Sequence, residues 1–225
     1  MNPSAKPPAP ASVAAWPGGL PHPPLAQVDQ LVEASVRSHG HLCPGQVIGV
    51  RMAILGLGLL GYPCPLGWPE IKNVVGIVEI ERCLADAVAT ASGLRFGRGS
   101  LKLINQGLLA VTFLDLPSGR AVRLVSRDQA RDLAGVYAPG SQSPQAAQVA
   151  AYRVMSDQEL FEIQWVKVEL PPQDLPGVRP PKVACQDCGV LVRSAQVHHR
   201  QGRQLCAVCA GQAYFSPLEQ PARDA

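Results

Sequence analysis

Leu25, Val28, Leu31, Val32, Ser35 and Val36 fall at helical spacing between Pro23-Pro24 and Gly40, which predicts an amphipathic helix. Residues 44 to about 60 are apolar on nearly every side, so this stretch is predicted to be a central buried helix ended by Gly61. Gly45, Gly49 and Gly56 lower its helix propensity, and close approach by another backbone is the usual compensation. Val74, Val75, Ile77, Val78 and Ile80 form a β-prone run buried on both faces or nearly so, and over 82–92 the pattern turns helical. Runs at 101–105, 109–114 and 121–125, separated by Asn105-Gln106-Gly107 and Leu116-Pro117-Ser118-Gly119, predict an antiparallel meander. Ser126 with Gln129 reads as a capping box for a short helix closed by Gly135; Pro144 opens another to Met155, and Ser156 with Glu159 repeats the cap. Phe161, Ile163 and Trp165 alternate, then Val166, Val168 and Leu170 alternate on the other parity, which predicts a bulge or a strand passing between partners.

These elements place an α+β core at 25–170. Residues 171–182 hold five prolines and read as a semi-rigid linker, reaching up to about 37 Å if fully polyproline II. A cysteine-rich module follows at 183–215, and 216–225 reads as a flexible tail. Residues 1–24 contain eight prolines and one charged residue, Lys6, a composition that cannot form a packed core and is expected to be disordered. That start lacks the basic, then unbroken apolar, pattern of a secretory signal, and the longest apolar segment, 47–60, is too short to span a bilayer. The expectation is a cytoplasmic protein with no membrane association. Its seven cysteines then point to metal or redox chemistry rather than a disulfide framework. A net charge of +3 is too slight to imply a nucleic-acid partner.

The densest chemistry lies at His39-Gly40-His41-Leu42-Cys43-Pro44-Gly45. Pro44 suits the first turn of the buried helix, which makes Cys43 its N-cap, where unpaired N–H groups and the helix dipole favour thiolate, the form that binds metal or attacks an electrophile. If the segment is extended, the rings of His39 and His41 project to one side, close enough to join Cys43 around one ion. The β-prone run aims the chain at Glu79, Glu81 and Cys83, and Cys83 and Asp86 share a face at the start of the next helix. Cys83 is the candidate fourth ligand, or a redox partner of Cys43. Asp86 reads as a group orienting a histidine, as a general acid/base, or as a first-turn acid favoured by the dipole. Arg95 and Arg98 sit in a glycine-rich turn, a weak signal for anion binding.

The motif His-Gly-His-Leu-Cys-Pro-Gly, with Arg51-Met52-Ala53 behind it, resembles the opening of the formylmethanofuran dehydrogenase E-subunit family. Glu79-Ile80-Glu81-Arg82-Cys83-Leu84-Ala85-Asp86-Ala87, Phe96-Gly97-Arg98-Gly99-Ser100-Leu101 and Gly107-Leu108-Leu109-Ala110 resemble its later blocks, so the likeness covers roughly residues 25 to 215. Two positions depart from it: Leu94 and Leu108 stand where a cysteine and a lysine are expected. The resemblance implies an α+β core with a mixed or antiparallel sheet and a buried central helix, an auxiliary zinc finger, and a homodimer. In methanogens the family accompanies a molybdenum or tungsten pterin enzyme that reduces carbon dioxide onto methanofuran. This chain carries no visible motif for a pterin or an iron–sulfur cluster, so the resemblance implies at most an accessory subunit of such an enzyme, or a relative put to another use.

Cys185-x-x-Cys188 and Cys206-x-x-Cys209, seventeen residues apart, have the spacing of a four-cysteine zinc ribbon or treble clef. Closed tetrathiolate coordination predicts a structural zinc, and it explains how so short a segment folds. His198 and His199 fall in the hairpin between the pairs and read as surface residues. Lys182, Arg193, Arg200 and Arg203 against Asp187 are too sparse a patch to argue for nucleic acid. The core set His39, His41, Cys43 and Cys83 suits zinc, and would also hold nickel, copper(I) or iron. Three functions are consistent with these residues. The first is a metal-binding accessory protein. The second is a metal-dependent enzyme on a small C1 or formyl-type substrate, with Cys43 and Asp86 or Glu79 in the chemistry. The third is a zinc-finger adaptor.

Overall fold

The structure, a computed structural model, describes residues 22–217. The proline-rich residues 1–21 and the tail residues 218–225 lie outside that range. The chain divides into two compact units between Leu170 and Pro171.

The first unit is α+β. Helix α1 (Leu25–His39) buries Val28, Leu31, Val32 and Ser35 and stops at Gly40, whose φ of 98° closes the helix in the left-handed region. Helix α2 (Pro44–Leu59) starts from Cys43 as its N-cap and buries Gln46 through Ala53 together with Leu55, Gly56 and Leu57, as its all-round apolar pattern predicts. Strand β1 (Val74–Val78) is buried along its whole length and leads to helix α3 (Cys83–Ser92). Next come β2 (Leu101–Leu103), β3 (Ala110–Asp115), β4 (Ala121–Ser126), α4 (Gln129–Tyr137), α5 (Pro144–Val154), the short α6 (Asp157–Leu160) and β5 (Phe161–Val166). The sheet order is β2-β1-β3-β4-β5, parallel between β1 and β2 and antiparallel elsewhere.

Three sequence expectations change. The expected meander is not consecutive, because α3 carries the chain back so that β2 lies parallel to β1 on the side away from β3. The N–H groups of Gln106 and Leu108 then donate to the Glu79 carbonyl, which leads the chain across the end of β1 into β3. Strand β5 has no bulge, since its pairing with β4 is unbroken from Ala121 opposite Val166 to Ser126 opposite Phe161. The change of parity is a change of sheet face: Phe161, Ile163 and Trp165 pack on the helix side, whereas Val166, Val168 and Leu170 join Val75, Ile77, Leu114 and Ala121 on the other. Ser126 ends β4 rather than capping a helix, and α4 starts from Asp128 and runs through Gly135 to Tyr137. Pro144 opens α5 as expected, with Ser143 as its cap, and the capping box of Ser156 with Glu159 forms as expected.

Two packing features fix α2. Gly49 meets α3 so closely that a Cβ there would lie 2.6 Å from the Ala87 Cβ and 2.8 Å from the Leu84 carbonyl oxygen; Gly56 meets the Phe113 ring rather than a backbone. Arg51 is completely buried and donates to the carbonyls of Tyr152, Arg153 and Met155 and to the Asp157 carboxylate, at 2.7–3.1 Å. It thereby neutralises the negative end of α5 and ties it to the central helix.

The second unit contains two hairpins, β6 (Lys182–Ala184) with β7 (Leu191–Arg193) and β8 (His198–Arg200) with β9 (Arg203–Leu205). Cys185 and Cys188 lie in the turn of the first hairpin. Cys206 and Cys209 follow the second on one helical turn, in which the Ala210 N–H donates to the Cys206 carbonyl. Each cysteine pair thus sits at a short hairpin, and neither a strand nor a helix follows Cys209 among the described residues. No helix among the described residues is long and apolar enough to cross a membrane.

Candidate metal centres

The core centre forms where α1 ends and both α2 and α3 begin. Ligand atoms of His39, His41, Cys43 and Cys83 lie within 4.8 Å of one another. His39 is the last residue of α1 rather than part of an extended segment, and the left-handed turn at Gly40 brings His41 back so that the two ring centroids stand 4.6 Å apart. Cys43 and Cys83 occupy the N-cap of α2 and the first residue of α3. These helices approach closely here too, since a Cβ on Gly45 would lie 3.1 Å from the Cys83 Cβ.

Around these four residues runs a set of polar contacts. The Asp86 carboxylate accepts a hydrogen bond from His39 Nδ1 at 2.8 Å, a contact that fits the first of its three sequence readings. With its proton on Nδ1, His39 has a lone pair at Nε2, and that nitrogen is buried with no hydrogen-bond partner among the described residues. A buried acceptor left without a donor is costly unless a ligand satisfies it. Gln46, fully buried, donates from its amide nitrogen to the Cys83 carbonyl at 2.9 Å and accepts from the Ser35 hydroxyl, which links all three helices under the site. Burial, and then the neighbouring Cys43 sulfur, raise the pKa of the Cys83 thiol. A bound cation would offset that cost by favouring the thiolate.

Glu79 does not join this group. Its carboxylate forms a bidentate pair with Arg123, 2.6 Å at each oxygen, and Arg123 alternates with Val122 and Leu124, which face the helices. Glu79 is therefore engaged on the opposite face of the sheet, so it is unavailable as a base at the thiols. Cys64 lies apart from both clusters, packs against the core and donates to the Ala91 carbonyl at 3.3 Å, with burial pushing its thiol up to about 12. Leu94, where the family resemblance led to an expected cysteine, is fully buried against Gly76; Leu108, in place of an expected lysine, is exposed. Sequence reasoning placed Ser35 on the buried face of α1 but missed its bond to Gln46, and it missed Gln46 itself and the clamp role of Arg51. Polar residues inside an all-round apolar helix were the available signal for the latter two.

In the second unit, Cys185, Cys188, Cys206 and Cys209 also bring their sulfurs within 4.8 Å of one another. Backbone N–H groups of Cys188 and Cys206 stabilise the Cys185 thiolate and lower its pKa to about 6, whereas the surrounding sulfurs push Cys209 up to about 12. Such a split is what four crowded sulfurs do when each gains by sharing protons, and a divalent cation is the species that lets all four ionise. His198 and His199 lie in β8 and are not among the clustered ligands.

The family model described as FmdE, molybdenum formylmethanofuran dehydrogenase operon, matches residues 38–164. A probable S-adenosyl-L-methionine-binding protein of Archaeoglobus fulgidus is 26% identical over 208 residues, covering 85% of this chain and 55% of that protein. The chain thus spans about half the length of that curated relative. The crystal structure of a tungsten formylmethanofuran dehydrogenase FmdE-like protein from Syntrophus aciditrophicus matches with a TM-score of 0.58 at 23% identity, over 84% of this chain and 95% of that one. At that identity the likeness speaks to the fold.

Proposed function

The chain belongs to the FmdE family, and from that premise we propose that it is a metal-binding accessory protein whose core holds one transition-metal ion and whose finger holds a structural zinc. The observation that carries this reading is the buried, unpartnered Nε2 of His39, set by Asp86 beside two thiols and a second imidazole. A carboxylate–histidine pair of this kind orients the ring and raises its basicity toward a metal. Two sulfurs and two nitrogens in tetrahedral reach suit zinc best among the common divalent ions, and a bound zinc supplies Lewis acidity. In this reading His39, His41, Cys43 and Cys83 bind, Asp86 holds the proton on His39 Nδ1, and Gln46 fixes the start of α3.

An adaptor that worked only through its finger would have no use for this core cluster. An enzymatic role on a small C1 substrate shares the same residues, and it depends on whether a coordination position is open. The same reading has the protein act in the cytoplasm as a homodimer, within a larger enzyme complex. Elemental mass spectrometry of the full chain tests the metal assignments. Two equivalents are expected, one lost in Cys43→Ser and the other in Cys206→Ser. A metal content indifferent to Cys43→Ser would refute the core assignment.

A further inference from the structure

Three of the four core ligands are held rigidly and one is not. Cys43 and Cys83 sit at the starts of helices that are locked together by glycine contacts and by the Gln46 bond to the Cys83 carbonyl. His39 ends a packed helix, and Asp86 holds its ring. His41 belongs to no helix or strand and is exposed. It touches the His39 ring, tilted by 40°, and makes no hydrogen bond among the described residues. The residue before it, Gly40, has a φ of 98° and nothing within 4 Å of where a Cβ would stand, so the backbone there turns into open space.

We propose that His41 is the exchangeable ligand of the core metal, swinging out on Gly40 to open one coordination position to a small anion while His39, Cys43 and Cys83 retain the ion. The proposal rests on the metal reading above and extends it to the site's ligand class. The exchange is simple in its balance. The neutral imidazole withdraws its lone pair from the metal, the incoming anion supplies one, and no electron or proton changes hands. A divalent ion on two thiolates carries no net charge, so an incoming anion makes the centre negative. The positive ends of α2 and α3, which both begin at the site, offset that charge. A ligand held in place only by the metal gives up ordering entropy each time it binds, which makes its departure easy; His39, already oriented by Asp86, gives up little.

The test uses the full chain loaded with cobalt(II), whose visible absorption reports coordination. Subtracting the spectrum of Cys43→Ser removes the contribution of the finger. His41→Ala should keep its core cobalt with affinity within about tenfold of the unaltered protein, and His39→Ala should lose more than about 100-fold, exceeding what the loss of an orienting partner costs. Azide should shift the core spectrum of the unaltered protein, and should do so at lower concentration in His41→Ala. Loss of cobalt from His41→Ala as complete as from His39→Ala would overturn the proposal by making His41 a permanent ligand. Core spectra unmoved by azide in both proteins would overturn it by showing a closed site. Absence of core cobalt from the unaltered protein would instead refute the metal reading on which it rests.

Discussion

The contact at Gly49 ties the stability of the core to the geometry of its metal site. A Cβ at this position would stand 2.6 Å from the Ala87 Cβ, 2.8 Å from the Leu84 oxygen and 3.3 Å from the Leu84 Cα. Carbon atoms rest at about 3.5–4.0 Å, and neither a backbone carbonyl nor an alanine methyl can rotate aside, so Gly49→Ala must drive α3 back by about 1 Å. Overpacking of this kind costs about 1–3 kcal/mol, and the better helix propensity of alanine returns about 1 kcal/mol. The expected net loss is up to about 2 kcal/mol. Cys83 and Asp86 ride on α3, and a displacement of about 1 Å is several times the tolerance of about 0.2 Å in a metal–ligand bond. Metal affinity should therefore fall together with stability. Urea unfolding of the metal-free protein, followed by tryptophan fluorescence, reads the first unit, because Trp16, Trp68 and Trp165 all precede Leu170. Competition with a chelator reads the affinity. Gly135→Ala in α4 is the control, since its Cβ would meet nothing within 4 Å and the change should stabilise by up to about 1 kcal/mol. If Gly49→Ala proves as stable as the unaltered protein and binds metal as tightly, the α2–α3 spacing does not set the site.

Arg51→Met should destabilise the first unit by about 3 kcal/mol, because three carbonyls at the end of α5 and the Asp157 carboxylate lose their donor; a urea midpoint unchanged from the parent would contradict this. Asp86→Ala should weaken core metal binding by about 10–100-fold in chelator competition while changing stability by under about 1 kcal/mol, as its side chain is over half exposed. An effect on folding alone would make Asp86 a dipole acid and nothing more. For Cys64, burial raises the thiol to about 12, so the protonated form is the one the fold favours. Its contribution is complete below the unfolded-chain value near 9.0 and is lost as pH rises through about 12. Between those limits the urea midpoint should fall more steeply with pH than in Cys64→Ala, and equal slopes would count against the assignment.

Much of the fold was legible because local patterns and packing agree. The apolar circumference of 44–60 can only be satisfied inside the core, and Pro44 after Cys43 marks the start of α2 by geometry that no tertiary contact needs to supply. The clustering of the four candidate ligands was legible for the same reason: thiols at helix starts and histidines beside a glycine are chemically specific at short range. Topology was less so. Nothing in the run 101–105 distinguishes a strand beside β3 from one beside β1, because the choice is made by the return of α3 across the sheet. The placement of Glu79 was likewise hidden, since its partner Arg123 lies 44 residues away. The parity change near Trp165 was visible, but two physical causes share that signature, and only the unbroken register separates them. Arg51 was visible too, and its role depends on carbonyls about a hundred residues downstream.

That last separation bears on how the molecule is made. His39, His41, Cys43, Cys83 and Asp86 all lie between residues 39 and 86, and the three helices that carry them are complete by Ser92. At a translation rate of about 5–20 residues per second, the acceptors for Arg51, at residues 152 to 157, appear seconds later. During that interval α2 carries a buried-to-be cation with no partner, while the ligand cluster already has every residue it needs. The nascent chain thus offers the complete candidate ligand set before the clamp that secures its central helix has been synthesised.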